Sequence, residues 1–525
     1  MLRKPPPSIF NDVIGPIMRG PSSSHTAASV RIGSLVRQFM GGDLKDVLFE
    51  FEPHGSLATT YSSQGSDIGL AAGLLNMDPT DERLTNALTL APEKGITLEF
   101  QISDFPASHP NTYRVTASGY RSGEKHRLVF ISTGGGMIEL TEINGLPVNI
   151  RGDYYETLFF YQLPLNNPVK KLVKTLLARF PALDYGLTAE KGETGVLNLK
   201  SAVPLEKEIY AYLDGFLPGA SVFKLEPVVP VGSHKDLDLP FHTIPELLKM
   251  AKSTGKELWE LAVDYECARG KLAKDEVLKM AEEVIDVMSA AVDQGLAGTE
   301  YEDRILGPQA HKAFQEGRFM FGGGLTKKMI AYITAIMETK SAMGLIVAAP
   351  TAGACAGLPG TLLAALEELR GNKELLIKGL MASALIGVFI AIKSTFAAEE
   401  CGCQAECGSG SAMAAAGLVQ MAGGSVETAL AASSMAMQNI NGMVCDPVAN
   451  RVEVPCLGKN ILAGMNALAS ANMALAGFNM VIPLEQAIEA FDQVGRMLPP
   501  ELRCTGKAGL SVTAASLALQ NKLNN

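Results

Sequence analysis

Positive charge is scarce in this chain. Its 45 Lys and Arg are outnumbered by 55 Asp and Glu, leaving a net charge of −10 and a pI near 5.4. That balance argues against a nucleic acid or an anionic membrane as a partner, since both need concentrated basic residues. Long apolar runs are missing too. The most apolar stretch, LMASALIGVFIAI at 380–392, spans 13 residues between Lys378 and Lys393; this is too short to cross a bilayer as a helix and reads as a buried one. The opening MLRKPPPSIFNDVIG meets proline and aspartate before any apolar core of a signal peptide develops. Eight cysteines in 525 residues are too sparse for a secreted disulfide scaffold and fit a reducing, cytoplasmic setting in which thiols stay free for metal. No tandem repeat of roughly 20 to 50 residues is visible.

What the chain does have is core-forming material. It is 47% hydrophobic and 19% charged, and its length allows about two to four domains. The expected class is α+β multidomain. Residues 1–145 mix helical patches with the alternating segments LFEFE, ITLEFQIS, TYRVTAS and HRLVFIS, an α+β domain. Residues 146–230 give a strand, an amphipathic helix (PVKKLVKTLLARF), two strands about a KGETG turn, a second helix and a last strand. This βαββαβ order resembles an ACT domain and is shared by ferredoxin-like folds. Residues 231–243, within PVVPVGSHKDLDLPFHT at 227–243, form the candidate linker, a stretch that carries Pro, Gly and polar residues between two periodic regions. From 244 to 525 apolar residues recur at three- and four-residue spacing, an all-α domain that becomes rich in Ala, Gly and Met beyond about 320.

Two groups of residues carry chemistry. Ser22, Ser23, Ser24, His25 and Thr26 stand directly before the helical pattern AASVRIGSLVRQF. Consecutive hydroxyls with the free N–H groups of a helix start can take a carboxylate, although a simple N-cap would need one serine. His25 adds a side chain whose ordinary pKa suits proton transfer. The second group is Cys403, Cys445 and Cys456, separated by 42 and 11 positions. Those gaps match no compact ferredoxin or zinc spacing, so by themselves the thiols read as small buried hydrophobes. A local CxCx3C group, Cys401, Cys403 and Cys407, offers zinc as an alternative without a fourth ligand at a recognisable spacing. HPNT at 109–112 and STGGG at 132–136 adjoin expected strands; the glycines allow a close ligand or, equally, a tight turn. APTAGAC at 349–355 reads as a turn ahead of a helix, and FGGGLTKK at 321–328 lacks the order of a phosphate loop.

Taken in order along the chain, IGPIMRGPSSSHTAASVRIG, HGSLATTYSSQGSDIGLAAGLL, DPTDERL, HPNT and STGGG resemble the β portion of the iron–sulfur L-serine dehydratases. APTAGACAGLPGTLLA, GCQAECGSGSAMAAAGL, VCDPVANRVEVPC and LRCTGKAGLS resemble their α portion. The resemblance implies a single-chain fusion that uses a [4Fe–4S] cluster on Cys403, Cys445 and Cys456, with one iron open to the substrate hydroxyl. It implies L-serine as a small amino-acid substrate and a homodimer as the assembly. Ser24 and His25 become the expected catalytic residues. Ser22, Ser23, Ser24, Thr26, His109, Asn111, Gly134, Gly135, Thr351 and Lys459 become the expected substrate pocket; Cys355 is not expected to be a ligand. Departures from the family pattern fall beside these motifs: Gln64 where a histidine is usual, Lys459 for arginine, Cys504 for glutamate, and KSTFAAEEC in place of an Asn- and Ser-rich stretch. They leave open another β-substituted amino acid such as threonine or cysteine as substrate, or a silent amino-acid-binding protein.

Overall fold

The computed structural model describes residues 5–165, 168–315 and 323–524. Part of the FGGGLTKK segment lies outside the described residues. The architecture is mixed helix and sheet, in several layers.

Alternation of buried and half-exposed side chains builds the first large sheet. Strands β2 (Asp46–Phe51), β3 (Thr97–Ile102), β4 (Thr112–Ser118), β5 (Lys125–Gly134), β6 (Met137–Ile143) and β7 (Leu146–Ile150) follow β1 (Ile17–Arg19) in sequence. They assemble in the order β3-β2-β4-β5-β6-β7, with β2 and β3 parallel and the remaining neighbours antiparallel. Phe49, Phe51, Tyr113, Val115 and Phe130 point from one face into a core shared with Val30, Leu35, Leu70 and Leu74 of two helices, Ala28–Phe39 and Ser66–Leu74. Those helices touch backbone to backbone because glycine permits it. A Cβ at Gly73 would lie 2.1 Å from the Val30 carbonyl oxygen, and one at Gly69 would lie 2.4 Å from that of Thr26. The second contact fixes the SSSHT segment against the Ser66–Leu74 helix.

A second sheet contains β8 (Tyr155–Gln162), β9 (Leu183–Lys191), β10 (Thr194–Ser201) and β11 (Ser221–Leu225), in the order β11-β8-β10-β9. Helices Val169–Arg179 and Lys207–Asp214 complete the expected βαββαβ succession, and Leu172, Leu176, Ile209 and Leu213 seal one face of the sheet.

Residues 231–243 hold no helix or strand, yet they are tied down. Asn11 Nδ2 donates to the Val231 carbonyl at 2.6 Å, Ser233 to Asp153 at 2.7 Å and Arg269 to the Gly232 carbonyl at 2.6 Å, while Phe241 is buried. A segment rich in turn residues is therefore not a free tether here.

Beyond it the chain is almost wholly helical. The apolar run at 380–392 is the C-terminal part of a 21-residue helix, Lys373–Lys393, which by length and composition could span a membrane. Within the protein, 78% of its most apolar window is buried. It lies against helix Ser409–Met421, where a Cβ at Gly417 would come 2.3 Å from Ser383 Oγ. Small residues let these helices approach closely, and the cysteine-bearing segments sit at their ends. One short ladder ties the N-terminal region to the helical half: β1 pairs antiparallel with β12 (Leu345–Val347). That pairing carries SSSHT alongside the APTAGAC turn.

Candidate functional site

The serine-rich segment does not behave as a cap. Ser23–Ala27 forms a single wide helical turn ahead of Ala28–Phe39, and the Ser22 side chain makes no capping hydrogen bond. The hydroxyls reach elsewhere. Ser23 Oγ accepts from the Ala352 N–H at 3.1 Å. Ser24 Oγ donates to Glu399 Oε1 at 2.9 Å, and Thr26 Oγ1 donates to the Gln64 carbonyl at 3.1 Å. Three residues from the start of the chain thus contact segments from three other regions.

His25 is fully buried, with Nε2 2.8 Å from Thr60 Oγ1 and Nδ1 3.1 Å from both Ser22 Oγ and Ser24 Oγ. Thr60 spends its hydroxyl proton on the Ser56 carbonyl at 2.7 Å, so Nε2 must carry the imidazole proton and Nδ1 is the acceptor. Ser24 gives its proton to Glu399, which leaves Ser22 to donate to Nδ1. Burial pushes the His25 pKa down to about 4, against the charge of Glu399, which raises it. The sequence suggested a group titrating near neutrality; desolvation instead keeps this imidazole neutral.

Asn111 is buried. Its Oδ1 accepts from Ser56 Oγ, while Nδ2 is buried without a hydrogen-bond partner among the described residues. His109 Nε2 lies 3.4 Å from Glu400 Oε1. Gly134, Gly135 and Gly136, at φ of 94°, 60° and 86°, make the tight turn from β5 into β6, and a Cβ on Gly134 would lie 3.0 Å from the Ala397 nitrogen. The turn reading of STGGG therefore describes its backbone, and the turn abuts the segment leading to Glu399.

The cysteines separate by direction. Cys401 Sγ faces Asp492 Oδ1 at 3.9 Å, Asn460 Nδ2 donates toward Cys407 Sγ at 3.7 Å, and Cys403 turns to Cys445. The local CxCx3C group thus does not converge on one point. Among the described residues, Cys403, Glu406 and Cys445 form a group whose ligand atoms all lie within 4.8 Å of one another. Cys456 lies outside that group. It is buried as the first residue of helix Cys456–Leu475 and feels the charges of Cys403, Lys340, Lys459 and Glu406. Cys355 is buried with its thiol pushed up to about 12 by desolvation. All eight cysteines are free.

Glu406, Glu399 and Cys504 join this site without having been expected as functional. Glu406 is half-buried and accepts from Thr351 Oγ1; desolvation, followed by the charge of Cys403, raises its pKa well above the usual range. Cys504 packs with Cys403 and Cys445, its N–H donates to the Cys445 carbonyl at 3.0 Å, and Gln64 Nε2 approaches its sulfur at 3.9 Å. Lys459 Nζ donates to the Val444 carbonyl at 2.6 Å and to Asp446 Oδ1 at 3.1 Å. Burial opposes its charge, but Cys403, Cys445, Cys456 and Asp446 together raise its pKa. A buried, sulfur-rich donor set with a lysine beside it suits a thiophilic metal. The signals for the two glutamates were in plain view, three residues after and four residues before Cys403, inside segments read only for their cysteines.

Comparison with known proteins fits this arrangement. A family model described as serine dehydratase alpha chain matches residues 253–511. The probable L-serine dehydratase alpha chain of Bacillus subtilis is 35% identical over 285 residues, covering 54% of this chain and 95% of that protein. The probable beta chain of the same organism is 44% identical over 147 residues, 28% of this chain and 64% of that one. An L-serine dehydratase of Streptomyces coelicolor aligns over 513 residues at 26% identity, covering 94% of this chain and 96% of its own length.

Proposed function

We propose, because this chain belongs to the L-serine dehydratase family, that it deaminates L-serine to pyruvate and ammonia with a [4Fe–4S] cluster held by Cys403, Cys445 and Cys456. The observation that carries the reading is the junction of two motifs. Ser23 holds Ala352, Thr351 holds Glu406, and Glu406 stands with Cys403 and Cys445, a chain of contacts that supports placing the proposed carboxylate site beside the thiol group.

Elimination removes the Cα proton and expels the β-hydroxyl; the aminoacrylate released tautomerises to an imine, and water converts it to pyruvate and ammonia. Hydroxide is a poor leaving group, and an open iron, when bound, supplies Lewis-acid stabilisation of the departing oxygen. The chain's own residues do the rest. Ser23, whose hydroxyl proton no protein acceptor takes among the described residues, binds the carboxylate with the N–H groups at the start of its turn, while Ser22, Ser24 and Thr26, whose protons go to His25, Glu399 and the Gln64 carbonyl, orient that turn; Asn111 Nδ2 is a further donor, and His109, Gly134, Gly135 and Thr351 are pocket walls. The neutral imidazole of His25 accepts at Nδ1, so it can take a proton passed through Ser22. Lys459 offsets the negative charge that three thiolates and a cluster bring.

The same reading keeps residues 146–230 as an ACT-like module, placed between the α+β domain 1–145 and the all-α domain 244–525, in a cytoplasmic homodimer. The sheet order β11-β8-β10-β9 supports a ferredoxin-like fold for that module. FGGGLTKK is a weak match to a phosphate or pyridoxal phosphate loop and no other segment is a persuasive one, so a carbonyl reagent such as hydroxylamine is expected to leave the initial rate of serine consumption unchanged; a pyridoxal absorbance that tracks activity through purification would contradict this.

Gln64 and Lys459 favour asking which amino acid fits best. Gln64 is buried and donates to the Asn450 carbonyl at 3.2 Å, an amide that cannot exchange protons as histidine does. Lysine offers a point charge where arginine would grip with a fork. If these residues reshape specificity, another small β-substituted L-amino acid has a higher kcat/KM than serine, and Gln64→His with Lys459→Arg moves the preference toward serine by a few-fold. Serine as the best substrate of the unmodified chain, with activity on it lost in the double variant, would make both residues compensated packing.

A further inference from the structure

We propose that Glu399 receives the α-ammonium group of the substrate and thereby selects amino acids over hydroxy acids that lack nitrogen. The inference rests on the carboxylate-binding role read for the SSSHT segment.

Glu399 is 6% exposed and sits on the short helix Ala398–Cys401, just before Cys403. Ser24 Oγ donates to its Oε1 at 2.9 Å, and among the described residues no hydrogen bond reaches its Oε2. No Lys, Arg or His forms an ion pair with it among the described residues, although its neighbour Glu400 is paired with Arg496 at 3.2 Å and His109 at 3.4 Å. Its negative charge acts on His25, Tyr113, Glu406 and Cys504, so it lies between the serine-rich segment and the cysteine group. A buried carboxylate without a cation is costly, and such groups are normally paired.

A free amino acid carries the missing cation. Its carboxylate and ammonium hang from the same carbon, so once the carboxylate rests on the Ser23 hydroxyl and the start of its turn, the ammonium falls within reach of whatever adjoins Ser24. That neighbour is Glu399. The β-carbon is then left to face Cys403 and Cys445. A carboxylate at this point also repels an incoming acid that has no compensating ammonium, so one residue supplies both attraction and rejection.

The test compares L-serine with 3-hydroxypropionate, which keeps the carboxylate and β-hydroxyl and lacks only the ammonium. In Glu399→Gln holoprotein the KM for L-serine is expected to rise roughly tenfold or more, the scale of one charge-assisted hydrogen bond. The inhibition constant of 3-hydroxypropionate should stay level or fall. Glu399→Asp, which keeps the charge on a shorter stem, should land between the two. Iron content and melting temperature read alongside show whether each variant is folded. A collapse of kcat with KM unchanged, or an equal weakening of both ligands in folded protein, overturns the proposal. The carboxylate role is tested separately by Ser23→Ala, whose hydroxyl makes no hydrogen bond to Glu399 among the described residues and which should weaken 3-hydroxypropionate. If it does not, the serine reading fails whatever Glu399 does.

Discussion

Anaerobically purified Cys445→Ser protein is expected to lack a complete cluster and to lose activity on the order of a thousandfold or more. A metal that stabilises a leaving oxygen contributes several kcal/mol to the transition state, and each 1.4 kcal/mol is a factor of ten. A serine hydroxyl does not ionise near neutral pH and is a poor replacement for a thiolate on iron. Cys445 is also held in place by its backbone: its N–H donates to the Leu502 carbonyl at 2.7 Å and its carbonyl accepts from Cys504. The substitution therefore removes the ligand atom and leaves the frame. Cys403→Ser and Cys456→Ser should behave alike. Cys401→Ser and Cys355→Ser should retain the cluster, because Cys401 faces Asp492 and Cys355 packs among apolar residues. Cys504→Ser should retain it as well, despite the nearness of that sulfur to Cys445. Full iron and sulfide in Cys445→Ser would remove it from the ligand set.

The second large effect is expected at the serine-rich segment. Replacing Ser24 or His25 by Ala should lower kcat/KM roughly ten- to a hundredfold, the cost of about 1.5–3 kcal/mol for a hydrogen bond to a charged group, while the cluster spectrum is unchanged. His25 belongs at the upper end, since its ring holds Thr60 on one side and Ser22 and Ser24 on the other. It also leaves a signature in stability. With a native pKa near 4 against about 6.5 in the unfolded chain, the unfolded state binds the extra proton first, so stability is lost as pH falls from about 6.5 toward 4. His25→Asn should flatten that slope. Wild-type kinetics in both alanine variants would reduce the motif to packing.

Much of this architecture could be read from the residues, and the misses share a cause. LFEFE, ITLEFQIS, TYRVTAS and HRLVFIS are strands β2 to β5 because period-two alternation is a local property of the chain. The βαββαβ succession emerged for the same reason. The helix ending at Lys393 was read too short: its first turn, KELLIK, mixes charge with leucine and so hides inside an apolarity count, although Asn372 caps it. Contacts across long separations left no local trace. The pairing of β1 with β12, the Ser24–Glu399 hydrogen bond across 375 positions and the approach of Gln64 to Cys504 depend on how the two halves fold together. So does the pKa of His25, which burial sets and residue type does not. The cysteines were visible only through resemblance, because the thiols that meet, Cys403 and Cys445, are separated by helices Ser409–Met421 and Val426–Gln438 and their flanking turns.

The most direct test is iron and acid-labile sulfide per chain in protein purified without oxygen, with the visible and EPR spectra recorded before and after adding L-serine. About four of each per chain, as a single cubane requires, and a spectrum that L-serine perturbs and exposure to air destroys together with activity are the expected result. Active protein with substoichiometric iron, or a full cluster whose spectrum is indifferent to L-serine, would contradict the assignment of substrate chemistry to the Cys403, Cys445 and Cys456 site.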